Sequence, residues 1–160
     1  MQPGRSFSGH VIASADGRLL FTTETDLEHD RGMLAVRDAH SLTLLQAWPT
    51  HGRDPHQLVL DRLAPGRVMV ANGGIETRPE TGRVKHGLNS MDSSLVRLDF
   101  RSGRLEGKWR LKDSRLSMRH LAWSGDYLGL SLQAEHQDGA TRAAAPVLAV
   151  FDGSTLNAGS

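Results

Sequence analysis

The chain has 160 residues, 38% hydrophobic and 23% charged, the profile of one globular domain and not of a disordered segment. Nineteen basic against eighteen acidic residues leave a net charge of +1, with no block of Lys and Arg to suggest nucleic acid or an anionic membrane as partner. Cysteine is absent, which excludes disulfides, thiolate catalysis and Cys-ligated zinc, and no apolar run approaches the ~20 residues that span a bilayer.

The opening MQPGRSFSGH has no apolar h-region, so a secretion signal, if the natural gene has one, is expected upstream of this sequence. From there on, short runs of β-formers alternate with Gly, Asp, Ser and Pro turns, and helical periodicity is nearly absent. In chain order the pattern predicts strands near 10–14, 18–24, 32–37, 42–48, 55–60, 67–72, 94–100, 104–111, 119–124, 127–133 and 146–152. Strands at this spacing belong to an all-β sandwich, barrel or propeller.

An internal repeat selects the propeller. Three strands begin with histidine: His10 in HVIAS, His56 in HQLVL and His120 in HLAWS. Each is followed by a turn, a second apolar strand, and a third strand ending in Asp38, Asp99 or Asp152. His10 and His56 are 46 positions apart, and His56 and His120 are 64 apart. The excess is a single insertion over 73–94; without it the period is close to the ~40–45 residues of a four-stranded propeller blade. A four-stranded sheet cannot bury its own apolar face and must stack on a neighbour, so the unit recurs. The fold class is therefore all-β, a β-propeller of four-stranded antiparallel blades, with about three to three and a half blades in one partial domain. The units are expected at about 9–50, 54–112 and 118–160. Because propellers close with roughly four to eight blades, this arc leaves sheet edges and apolar faces uncovered. The chain is read as part of a larger propeller, and on its own it is expected to self-associate or aggregate.

Several motifs together resemble a bacterial family catalogued as domain of unknown function 1513: GHVIASADGRLLFTTETD, DPHQLVL, VANGGI, SMDSSLVRLD and RHLAW. The resemblance runs from about Pro3 to Asp152. It implies a seven-bladed propeller of about twice this length, periplasmic after twin-arginine export and encoded near iron-uptake proteins. One departure stands in the insertion, where the family usually has His-Pro and this chain has Arg78-Pro79.

The first strand of a propeller blade lines the central channel, so His10, His56 and His120 belong to one ring. Imidazole is a common ligand of transition metals, which makes these three the candidate site for a divalent metal. The favoured expectation is nevertheless structural bonding, as for the Gly-His pair of WD repeats, because neighbouring blades hold equivalent atoms too far apart unless the side chains lean inward. Glu24, Asn72 and Gln133 end the second strands and are expected at the same rim, where a carboxylate with imidazoles would suit a lactonase-type hydrolase. Arg119 is expected to pair with a rim Asp. The long insertion is locally basic through Arg78, Arg83, Lys85 and His86, and long loops are commonly functional. Asp38, Asp99 and Asp152 read as turn residues whose carboxylates accept backbone N–H groups. Trp48, Trp109 and Trp123 read as packing between blades. The combined expectation is a propeller that binds a small ligand or periplasmic protein at its channel rim, in iron acquisition. A metal-dependent hydrolase and a pure interaction scaffold are the alternatives.

Overall fold

A computed structural model of the chain describes residues 4–77, 85–86 and 88–159. Three four-stranded antiparallel sheets follow one another along the sequence. The first holds β1 (Arg5–Ala13), β2 (Leu19–Asp26), β3 (Arg31–Asp38) and β4 (Leu44–Pro49) in that order. The second holds β5 (Pro55–Leu60), β6 (Arg67–Asn72), β9 (Ser94–Asp99) and β10 (Leu105–Trp109). The third holds β11 (Leu116–Ser124), β12 (Tyr127–Ala134), β13 (Leu148–Phe151) and β14 (Leu156–Ala158). Between β6 and β9 the insertion forms a two-stranded pair, β7 (Glu76–Thr77) with β8 (Lys85–His86), and a 3-10 turn over Leu88–Ser90. No helix among the described residues is long and apolar enough to cross a membrane.

Strand alternation explains how the sheets stack. In β6, Val68 and Val70 pack toward the first sheet with Phe21, Leu34 and Val36. The intervening Met69 and Ala71 pack toward the third sheet with Leu128, Leu130, Ala149 and Phe151. A strand buried on both faces must be apolar at consecutive positions, and the run VMVA is. The two outer sheets have one such partner each. Their other faces expose Phe7, Val11 and Leu42 on the first sheet, and Tyr127, Leu148 and Val150 on the third.

The turn between third and fourth strands repeats in detail. Asp38 Oδ1 accepts the N–H groups of His40 and Ser41, Asp99 those of Arg101 and Ser102, and Asp152 those of Ser154 and Thr155. The tryptophans cross the seams between sheets. Trp48 Nε1 donates to Phe100 O at 3.0 Å, Trp109 Nε1 to Ser154 O at 2.8 Å, and Trp123 Nε1 to Leu60 O at 2.9 Å. Trp48 lies against Gly103, which has φ +72° and no room for a Cβ.

Beyond the β7–β8 pair, the structure departs from the sequence-based expectation at two strand starts. β1 starts at Arg5 and β11 at Leu116, so His10 and His120 lie inside their strands and do not open them. Two further elements also appear. β14 completes the third sheet, where the pattern ends at 152. A short helix, α1 (Gly139–Ala144), fills the β12–β13 connection and starts on Asp138, whose side chain accepts the Thr141 N–H.

Candidate metal centre

The inner strands β1, β5 and β11 lie side by side, β1 against β5 and β5 against β11. Each loses register with its second strand at its histidine. The β1–β2 ladder breaks between Phe7 and Val11, around His10. The β5–β6 ladder breaks between Pro55 and Gln57, at His56, and the β11–β12 ladder between Met118 and Leu121, around His120. A β-bulge re-aims the side chain it contains. In β1 the residue before the histidine is Gly9 at φ +97°, a conformation that glycine adopts without strain.

The backbone groups released by these breaks are bonded by side chains. Ser131 Oγ accepts the His120 N–H at 3.0 Å, and Gln57 Oε1 accepts the Leu121 N–H at 2.6 Å across the seam. Thr23 Oγ1 donates to His56 O at 3.3 Å. Gln57, Ser131 and Thr23 carry no sequence signal for this role, because a lone Gln, Ser or Thr in a strand reads as a solvent-facing side chain until the seam partner is known.

The outcome is convergence of three imidazoles. Ring centroids are 5.2 Å apart for His10 and His56, 5.5 Å for His10 and His120, and 4.9 Å for His56 and His120. One ring nitrogen from each lies within 4.8 Å of the others. The rings therefore lean inward, contrary to the expectation that adjacent blades hold them apart, and the register breaks are the physical reason. His10 and His56 are half-buried and His120 is exposed. Burial, then the Arg119 charge, then the other two imidazoles push His56 down to about 4. Burial, with His120 beside it, also lowers His10. Both are neutral at physiological pH, the form that ligates metals.

The other residues singled out in the sequence are placed elsewhere. Glu24 is buried on the outward face of the first sheet, bonded to Arg37 at 2.6 Å and Thr22 at 3.0 Å with Arg5 at 3.6 Å. Its neighbour Thr23 faces the seam, so strand alternation turns the Glu24 carboxylate away from His56. Asn72 is fully buried, with Nδ2 donating to Thr50 O and Ser94 Oγ. Gln133 is exposed opposite Ser117, out of phase with the other two. Arg119 pairs with Asp54, Nη1 to Oδ2 at 2.7 Å. Lys85 and His86 form β8; Arg78, Pro79 and Arg83 lie outside the described residues.

Both ends of the insertion are tied beside the histidines. The Gly73 N–H donates to Asp54 O at 2.7 Å and Ser117 Oγ donates to Gly73 O at 2.8 Å. At its far end Ser93 Oγ donates to Asn72 O and accepts the Met118 N–H.

Two solved structures show the fold in larger chains. Hydrazine synthase of Kuenenia stuttgartiensis is 11% identical, with a TM-score of 0.55 over 90% of this chain and 50% of that one. A luciferin-regenerating enzyme is 14% identical, with a TM-score of 0.54 over 94% of this chain and 46% of that one. Both are propeller-type structures, and this chain spans about half the length of each. No curated protein matches the sequence. The family model described as "Protein of unknown function (DUF1513)" matches residues 1–158, and the chain belongs to that family.

Proposed function

Starting from membership of that family, we propose that the chain supplies three blades of a β-propeller whose channel binds a transition-metal ion on His10, His56 and His120. The observation that carries this reading is the meeting of three imidazoles from consecutive inner strands, each at a register break. Three neutral nitrogens suit Zn, Cu, Ni or Fe(II) and do not suit Mg or Ca, which prefer oxygen donors. Nitrogens ~2.0–2.1 Å from a tetrahedral ion stand about 3.3 Å apart, so the widest pair has to close from 4.8 Å. Rotation of exposed His120 provides that movement. Three protein ligands leave a fourth position open, as in sites that bind or activate an exogenous molecule.

The same reading places the whole protein in the periplasm as a seven-bladed propeller handling iron, as the family resemblance implies. The lactonase-type alternative uses a carboxylate together with the imidazoles. Glu24 is committed to Arg37 and Arg5, and among the described residues only the three histidines form a metal-sized group.

Elemental analysis of the purified full-length protein, with equilibrium dialysis of this chain against Zn(II) and Co(II), tests the proposal. One ion per chain is expected, with at least a tenfold loss of affinity in His56→Ala. A folded protein that takes up no metal overturns it.

A further inference from the structure

We infer that the open position at the three histidines receives an oxyanion, a carboxylate or phosphate oxygen of a small ligand, held jointly by the ion and by Arg119. The inference rests on the metal reading above and names the chemistry of what that site takes.

Charge balance is the first ground. Imidazole ligands contribute no negative charge, so a divalent ion there keeps its full charge. Among the described residues, the acidic groups on and beside the flanking strands are already engaged, Glu24 with Arg37 on the far face of its sheet and Asp54 with Arg119. A metal charge that protein carboxylates do not neutralise favours an anionic fourth ligand.

Arg119 is the second ground. It directly precedes His120, and its guanidinium reaches across to Asp54, two residues before His56. Its Nη1 donates to Asp54 Oδ2 at 2.7 Å. Nε is buried and has no hydrogen-bond partner among the described residues. A buried donor left unpaired costs about 1–3 kcal/mol, so a guanidinium fixed at one end by Asp54 and unsatisfied at Nε is a preset receptor for oxygen. The planar fork of Arg matches carboxylate and phosphate geometry in a way that a Lys would not.

Access is the third. His120 is the exposed member of the triad, so the site is open on that side and a ligand can reach the ion without displacing the half-buried His56.

The test uses the full chain saturated with Co(II), whose visible absorption reports its coordination, titrated at pH 7.5 with acetate and separately with inorganic phosphate. The expected result is a saturable spectral change with at least one anion; which one responds identifies the carboxylate or phosphate source. Arg119→Gln, loaded to the same Co(II) saturation, is expected to bind the anion at least tenfold more weakly. Asp54→Asn, which frees the guanidinium from its carboxylate, is expected to bind it more tightly, whereas a merely structural Arg119–Asp54 pair would weaken it in both. A Co(II)-loaded protein whose spectrum ignores both anions overturns this inference and leaves the metal site standing. Failure to bind Co(II) overturns both.

Discussion

His56 is a base held in a place that resists its protonation. In the unfolded chain it titrates near its usual value of 6.5, and in the fold it is pushed down to about 4. Between those values the unfolded chain binds a proton that the folded one refuses, so stability rises with pH across this window. The contribution is complete above about pH 6.5 and is lost progressively as pH falls toward 4. His10 is shifted in the same direction, and the charges facing the pair are those of His120 and Arg119. Metal-free protein is therefore expected to melt at a lower temperature at pH 5 than at pH 7.5, and His56→Gln to flatten that difference in thermal melts. An unchanged pH dependence in the variant would count against the cluster. The histidines were legible in the sequence because they repeat with the strand pattern. Their convergence was not, since it depends on register breaks that appear only once second strands are paired. Glu24 shows the opposite limit: one position of alternation separates it from Thr23, and the sequence does not say which of the two faces the seam.

Strands and turns were the most readable level. The Asp38, Asp99 and Asp152 turns stand where the pattern put them, because each depends on residues close in sequence, whereas β1 and β11 start several residues ahead of the predicted 10–14 and 119–124. β14 was not legible because three residues, LNA, are too few to show alternation and are held by pairing with β13. α1 escaped because six residues capped by Asp138 give too few turns to show a period. Between sheets, aromatic rings meet at both seams. Phe151 is fully buried, its ring 4.5 Å from Trp109, while Phe21 is 4.8 Å from Phe100 at the other seam. Phe151→Ala is expected to cost about 3–5 kcal/mol in denaturant unfolding, through lost burial and the cavity left behind. Gly103→Ala is also expected to destabilise, since it forces a Cβ both into φ +72° and into the Trp48 indole. A Gly103→Ala protein as stable as the parent would show that this seam is loosely packed.

Over the whole molecule, each seam joins two complementary faces, and the arc carries one unmatched face at either end. On the first sheet Phe7 and Val11 are 47% and 53% exposed; on the third, Leu148 and Val150 are 58% and 45% exposed. By the repeat these are the two halves of a seam. Further blades of a longer chain, or other copies of this one, are the surfaces that fit them. At 17.5 kDa, this chain alone is expected to elute from size exclusion with light scattering as an assembly heavier than a monomer. Val150→Lys is expected to shift it toward the monomer, and a stable, monodisperse monomer of the parent would contradict the reading of those faces. The three tryptophans are the chain's whole complement, and every indole N–H is anchored to a carbonyl of a neighbouring sheet. The protein's intrinsic fluorescence is thus a property of its seams, with Trp48 watching the first and Trp109 and Trp123 the second. Light emitted by this chain reports how its blades hold each other, and says little about how any one blade holds itself.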